Sequence, residues 1–431
     1  LIHKTLLALA GSAALITNVW AADSYPRTAA ISTGGQQEYW DATYQREIAK
    51  FDVAIISTYP GWGKGRGTTM QNAVSQIKAI NPNTKVFLYT LGESLRMPVD
   101  ATWSTLANTV EANKWWLYSA GTSGSKLLSS YGNGHYALNI SSQSRKNSSG
   151  QNFAQWYGSW VAATLGKPVP SADGMFMDNI YYAPRTDGDW NVDGSKDSQT
   201  NATVGSWFRQ GNVQFLNSLK AGMGKIHIAN AADWGLEQAV LTDYVGKFQG
   251  AVFEGMLGRS YSIEGYAGWA AMMKGYRKIM ATVAAPKYVV CVQGGGITDY
   301  QAMRYGLASC SMDDGYYFFT NNADPYHHVP RFDEYEANLG MPTSSPPTAA
   351  WQSGVYRRDF EGGIVLVNPK GNGSRTVNLG GEFVKLRGTQ VPAINNGATV
   401  TSVKLADRDG LILLRKGVAP KPAAPAGFTV K

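Results

Sequence analysis

Cysteine is scarce: the chain of 431 residues has two, Cys291 and Cys310. A disulfide-scaffolded fold is therefore excluded. Histidine is almost as rare, with five residues, and the sequence has neither His-Glu-x-x-His nor Cys-x-x-Cys. Zinc sites of those patterns are absent. Charged residues make up only 16% of the chain. No Gly-x-Gly-x-x-Gly follows the first strand-like run, which removes the usual dinucleotide-binding signature. No Gly-x-Ser-x-Gly elbow occurs either, which disfavours a serine hydrolase of that type. Beyond residue 25 there is no apolar run of the roughly eighteen residues that a membrane helix needs, so no stable membrane span is expected. Glycine is plentiful, at 48, but has no Gly-x-y period, so collagen is excluded.

What is present is apolar and aromatic, at 44% and 12% of residues, too much for a disordered chain. Lys and Arg total 39 against 31 Asp and Glu, a net charge of +8. These basic residues are scattered rather than clustered, so no nucleic-acid partner is expected, while a basic surface suits an anionic polysaccharide. Nothing in the sequence fixes the oligomeric state.

The first residues read as a signal peptide. His3 and Lys4 form a short basic start, residues 6–19 are apolar, and Val19-Trp20-Ala21 offers a small-x-small cleavage site. Residues 1–21 are expected to be removed, leaving a secreted or periplasmic protein. Cys291 and Cys310 could pair there or remain buried thiols; the sequence leaves both open.

Eight short, continuous apolar runs follow, at 28–33, 51–59, 85–92, 174–181, 225–231, 250–255, 287–293 and 315–320. Such runs fit parallel strands covered on both faces. Amphipathic segments at 70–80, 102–118, 153–165, 207–223, 268–283 and 300–312 lie between them. Strands alternating with helices predict an α/β fold, a (β/α)8 TIM barrel over 22–342, with an open doubly wound sheet as the alternative. The long interval around 93–173 carries many aromatic residues and predicts an insertion that shapes one side of the barrel mouth. After Pro342 the helical period disappears. Short strands separated by Gly, Asn and Asp turns over 343–417 predict a C-terminal antiparallel β-sandwich. Residues 418–431 form a Pro/Ala-rich tail.

In such barrels the chemistry sits at the C-terminal ends of the strands. Asp178 directly follows the apolar Gly174-Met175-Phe176-Met177, and Glu254 follows Ala251-Val252-Phe253. A carboxylate buried there costs several kcal/mol unless it is paired or used. Two carboxylates converging on one pocket are what glycosidic cleavage requires, so Asp178 and Glu254 are the expected catalytic pair. Tyr59, Glu93, Asn179, Tyr181, Asn230, Asp233 and Gln293 also stand at or just past strand ends and are expected to bind substrate. Tyr59, Trp62, Tyr181, Tyr182, Trp190 and Trp234 are candidate platforms for sugar faces. No organic cofactor is implied. Asp189, Asn191 and Asp193 partly match a calcium loop, but its twelfth position is Thr200 rather than Glu. Gly294-Gly295-Gly296 reads as close backbone packing, and His327-His328 as a loop feature.

The order of these features resembles the hypothetical glycosyl hydrolase families, in particular family 15, which is distantly similar to the α-galactosidase superfamily and to endo-α-1,4-polygalactosaminidases. The residues carrying the resemblance are Gly174-Met175-Phe176-Met177-Asp178-Asn179, Gly188-Asp189-Trp190-Asn191 with Asp193-Gly194, and Phe253-Glu254-Gly255. Phe332-Asp333-Glu334-Tyr335, Arg358 with Phe360, and Val367-Asn368-Pro369 add to it. The resemblance implies an exported glycosidase acting on a polysaccharide or oligosaccharide. Asp178 would be nucleophile or base and Glu254 acid/base. The alternative reading is a catalytically silent barrel that binds polysaccharide in exopolysaccharide binding or assembly.

Overall fold

The computed structural model describes residues 24–61, 69–230 and 243–419. Each of the eight apolar runs forms a strand there. They are β1 (Ala29–Ser32), β2 (Val53–Ile56) and β3 (Lys85–Leu91), then, after a separate antiparallel pair of β4 (Ser94–Arg96) and β5 (His135–Ala137), β6 (Gly174–Asp178), β7 (Ile226–Asn230), β8 (Gly250–Leu257), β9 (Tyr288–Gly295) and β10 (Tyr316–Asn321). The eight large-sheet strands lie side by side in chain order, and all their pairings are parallel. A parallel bridge between Thr28 and Tyr317 joins the first edge to the last, so the sheet is nearly closed as a barrel. The helices are α1 (Gln36–Tyr39), α2 (Ala42–Ile48), α3 (Met70–Ile80), α4 (Ser104–Ala112), α5 (Phe153–Val161), α6 (Ala202–Met223), α7 (Ile263–Thr282) and α8 (Tyr300–Ser311). Among the described residues, no helix is long and apolar enough to cross a membrane.

Side chains alternate between the two faces of a strand. One set (Ala29, Ile31, Val53, Ile55, Phe87, Phe176, Ile228, Val252, Val290, Val292 and Phe318) forms a single buried cluster inside the sheet. The other set, including Ala30, Ala54, Val86, Leu88, Met175, Met177, Ala229, Phe253, Cys291 and Phe319, joins the large core beneath the helices. Cys291 and Cys310 belong to that outer layer and are free thiols.

Two expected helices end differently from their sequence pattern. The segment predicted at 102–118 stops at Ala112, because Lys114 turns into the left-handed region (φ 56°). Trp116 and Tyr118 then form antiparallel bridges with Leu138 and Lys126. The aromatic periodicity belongs to a buried loop there: Trp115, Trp116 and Leu117 are all core residues. The helix predicted from 268 starts earlier, at Ile263, and is kinked at Gly268 (φ 86°).

The C-terminal strands are β11 (Tyr356–Asp359), β12 (Gly363–Asn368), β13 (Arg375–Lys385), β14 (Thr399–Leu405) and β15 (Asp409–Leu414). They form one five-stranded antiparallel sheet rather than the two sheets a sandwich requires. The sheet serves two cores by alternation. Val365, Val367 and Ile412 face the main core. Ile364, Leu366, Leu411 and Leu413 meet Val377, Phe383 and Val403 in a core of their own. The sheet is tied to α8 by a buried ion pair, Arg304 to Asp409 at 3.0 Å, and to α7 by Arg408 on Glu264 at 3.1 Å.

Candidate active site

The strand alternation decides which strand-end residues face the barrel axis. Asp178 stands two residues after the inward Phe176, Asn230 two after Ile228, and Glu254 two after Val252. Tyr89 stands two after Phe87. These four side chains meet. The Asn230 amide donates one hydrogen to Asp178 Oδ1 at 2.9 Å and the other to Glu254 Oε2 at 2.8 Å. The two acceptor oxygens are therefore no more than 5.7 Å apart, the two bonds laid end to end.

Every carboxylate oxygen of the pair has a donor. Asp178 Oδ1 also accepts the Asn179 backbone N–H at 2.9 Å, and Oδ2 accepts the Tyr89 hydroxyl at 2.7 Å. Glu254 Oε1 accepts the Tyr326 hydroxyl at 2.6 Å and the Tyr261 hydroxyl at 3.2 Å. Burial raises the Asp178 pKa above the ordinary carboxylate range, and the nearby Glu254 charge adds to this. The bonds from Tyr89, Asn230 and the Asn179 N–H oppose the rise. Burial and the Asp178 charge push the Tyr89 phenol well above its usual value, so it stays a donor.

Two local irregularities aim these groups. Asn179 adopts φ 58°, a region that Asn tolerates better than most residues. The β8–β9 register shifts between Phe253 and Leu257, so Glu254 sits where regular pairing ends. Such irregularities re-aim side chains near functional sites. Glu254 itself is half-buried.

The site opens into a cavity of about 840 Å³ lined by Tyr89, Leu91, Arg96, Tyr131, Asn133, His135, Asp178, Asn179 and Glu254. A smaller recess of about 110 Å³ below it is walled by Ile31, Thr33, Phe176, Asn230, Val252 and Tyr326 along with the two carboxylates. One wall of the large cavity is thus the β4–β5 pair, part of the insertion that the sequence places at the mouth.

Other expected site residues have different placements. Gln293 follows the outward Cys291, so it points into the helix layer. Its amide donates to the Ala302 carbonyl at 2.8 Å and accepts the Tyr317 hydroxyl at 2.7 Å. It is a packing residue between β9 and α8, and the expectation that it binds substrate is corrected. Tyr181 is buried at the wall. Its hydroxyl donates to Asn179 Oδ1 at 2.5 Å and bonds the Tyr131 hydroxyl at 2.8 Å, which makes it a support for two cavity residues rather than a platform. Trp190 is a core residue whose Nε1 donates to the Thr186 carbonyl at 3.0 Å, so it is no platform either. Glu93 is buried past the end of β3 and is not a cavity wall, though its charge helps raise the Tyr131 and Tyr181 phenols. Tyr59 is half-buried and donates to the Gly34 carbonyl at 3.3 Å. Tyr182 lies under the Arg209 guanidinium at 4.0 Å. Asp233, Trp62, Trp234 and the signal-peptide residues 1–21 fall outside the described residues.

Sequence reasoning missed Tyr89, Tyr326, Tyr261, Arg96 and Asn133. Tyr89 was findable, since it shares the face of Phe87 in β3. Tyr326 was not: it lies beyond β10, at φ 61°, and returns to Glu254 across 72 positions.

The residues of the partial calcium loop are held by backbone bonds to Asp189. Asp189 is buried, and its oxygens already accept the N–H groups of Gly121, Asp193 and Gly194 at 2.5, 3.1 and 2.8 Å. At the mouth, the possible ligand atoms of Asp324, His327 and His328 lie within 4.8 Å of one another. Both His327 nitrogens already face carboxylates, Glu38 at 2.6 Å and Asp324 at 3.2 Å. Chiefly the Glu38 bond raises the His327 pKa, which fits a ring donating from both nitrogens. Of the glycine triplet, Gly294 and Gly295 are closely packed and Gly296 is not: a Cβ on Gly294 would lie 2.7 Å from both Arg259 Nε and Asn322 Oδ1, while one on Gly296 would meet nothing within 4 Å.

The site is thus two inward carboxylates at the strand ends of a barrel-like sheet, bridged by one amide. The family model of hypothetical glycosyl hydrolase family 15 matches residues 78–364, and the chain belongs to that family. Comparison with curated proteins finds no match. Among solved structures, the chain is similar to a cycloalternan-forming enzyme from Listeria monocytogenes in complex with a pentasaccharide substrate, at 9% identity and a TM-score of 0.47. That overlap takes in 91% of this chain and 41% of the other. It is also similar to a debranching enzyme from Nostoc punctiforme, at 11% identity and a TM-score of 0.44, over 88% of each chain. A cycloalternan-degrading enzyme from Trueperella pyogenes with a covalent intermediate overlaps at 11% identity and a TM-score of 0.43, over 91% of this chain and 60% of that one. The chain thus spans about two fifths of the Listeria enzyme's length.

Proposed function

We propose that this protein is an exported glycoside hydrolase on a (β/α)8 barrel with a C-terminal β domain, cleaving a polysaccharide or oligosaccharide with retention of configuration. The observation that carries the reading is the Asn230 amide bonded to both carboxylates. A separation near 5–5.5 Å is the spacing of a retaining pair, whereas an inverting pair needs about 6.5–9.5 Å to admit water. The upper limit of 5.7 Å between the bridged oxygens matches the first.

Asp178 is the nucleophile in this reading. All its partners are donors, two N–H groups and a phenol held protonated, which suits a carboxylate and offers a carboxylic acid little to donate to. Glu254, half-buried and touched by two hydroxyls, is the acid/base. Its proton passes to the leaving glycosidic oxygen as an Asp178 oxygen bonds to the anomeric carbon. Water then attacks that carbon, gives its proton to Glu254 and releases the Asp178 carboxylate. Asn230 and Asn179 hold the geometry. The chemistry needs no organic cofactor. Export rests on the sequence pattern of residues 1–21.

The test is reducing-end release from neutral glucans, α-galactosides, galactosaminan and acidic exopolysaccharides, comparing the mature protein with Asp178→Asn. Activity that vanishes in the variant supports the reading. Activity that survives removes Asp178 from its role. Silence on every polymer, with retardation by one of them in an affinity gel, favours the polysaccharide-binding barrel. A Glu254→Ala variant adds a second check: azide should rescue it on substrates with an activated leaving group.

A further inference from the structure

Resting on that reading, the geometry points to an anion-recognition subsite on the β4–β5 pair: Arg96, with Asn133 and His135 beside it, receives a carboxylate or sulfate on the substrate sugar. The polymer would then be anionic.

Three observations carry this. Arg96 and His135 are direct partners across the β4–β5 pair, and with Asn133 they line the same cavity as Asp178 and Glu254. Their side chains therefore face whatever sugar occupies the reacting position.

Next, Arg96 makes no ion pair or ring contact among the described residues, whereas other arginines of the barrel are engaged. Arg209 pairs with Asp243 at 2.5 Å, and Arg185 lies over the Tyr181 ring at 3.6 Å. Arg259 lies at 5.5 Å from the Tyr326 ring centre. Arg96 does not serve the catalytic carboxylates either, because their four oxygens already accept from Tyr89, Asn179, Asn230, Tyr261 and Tyr326. A guanidinium on a cavity wall with its fork unengaged matches a planar oxyanion, which it binds through two parallel N–H bonds.

Third, burial, and secondarily Arg96, lower the His135 pKa, which favours the neutral ring. One ring nitrogen then carries a hydrogen and the other does not. Asn133 adds an amide on the turn, held at φ 48°. A single charge flanked by neutral polar groups suits one anionic substituent per sugar. Without Lys4, in the segment expected to be removed, the chain keeps a net charge of +7, which favours the approach of a polyanion.

The experiment is calorimetric binding to the inactive Asp178→Asn protein, which separates recognition from turnover. Three size-matched probes are used: a galacturonic acid tetramer, a sulfated galactose tetramer and a neutral galactose tetramer. One anionic tetramer should bind at least about tenfold tighter than the neutral one at physiological salt, and which one identifies the anion. Arg96→Gln should collapse that ratio, and Arg96→Lys should restore only part of it, since an ammonium keeps the charge without the fork. Arg96 is exposed, so neither change threatens folding. Equal affinity for all three probes, no binding to any, or a ratio unmoved by Arg96→Gln would overturn the subsite. Anionic preference in a wild-type protein that hydrolyses nothing would keep the subsite and sink the hydrolase. Turnover of neutral polymers alone would do the reverse.

Discussion

Asn230 is a small residue with a large positional burden. One amide nitrogen holds two carboxylates whose mutual repulsion would otherwise spread them apart. Asn230→Ala should leave the fold intact and lower kcat by roughly 100-fold, the usual cost of loosening a reacting pair; circular dichroism and steady-state rates check both halves. Tyr89 offers a finer test. Its hydroxyl lowers the Asp178 pKa against the rise that burial imposes. Tyr89→Phe removes that bond, so the Asp178 pKa goes up. A nucleophile must be ionised, hence the acid limb of the pH–rate profile should move to higher pH. An acid limb that stays put or moves lower would refute the assignment of Asp178 as the ionised partner.

At the scale of elements, the sequence reveals what its periodicities encode. The eight strands were legible because burial on both faces demands uninterrupted apolar runs, and Asp178 and Glu254 because a charge after such a run is conspicuous. Gln293 misled because position at a strand end says nothing about face; counting in twos from Phe176, Ile228 and Val252 does. The β4–β5 wall was legible only as an aromatic-rich interval, since its shape depends on contacts between distant residues. One of these is visible at Gly211 on α6, where a Cβ would lie 1.8 Å from the Ile140 carbonyl oxygen. Gly211→Ala should therefore cost about 1–3 kcal/mol by forcing α6 off the insertion, and a denaturant melt measures it. On β7, His227 faces the helix layer, 1% exposed, with neither ring nitrogen bonded. Burial, with a smaller contribution from Lys220, depresses its pKa to about 4. The unfolded chain takes up this proton as pH falls through about 6.5, the folded protein only near 4. Its contribution to stability is thus complete above 6.5 and is lost between those values, by on the order of 3 kcal/mol. The drop in melting temperature over that window should be shallower in His227→Leu.

The whole molecule is held by connections between parts far apart in sequence. The Arg304–Asp409 pair, with side chains 6% and 11% exposed, clamps the C-terminal sheet to α8. Arg304→Met strands the Asp409 charge and should destabilise the protein by about 3–5 kcal/mol, with Arg304→Met/Asp409→Leu recovering much of the loss. Thermal unfolding of the three proteins decides it. The barrel seam is a connection of the same kind. Thr28 bridges Tyr317, and the Tyr25 hydroxyl donates to Asp314 across 289 positions. A ribosome adding about 5–20 residues per second needs some 15–60 seconds to make that span. Until then β1 has one edge without its partner, and the nascent chain cannot shut its ring. Ring closure is therefore a late event that waits for residue 317, and every earlier strand must hold its place in an open sheet until then.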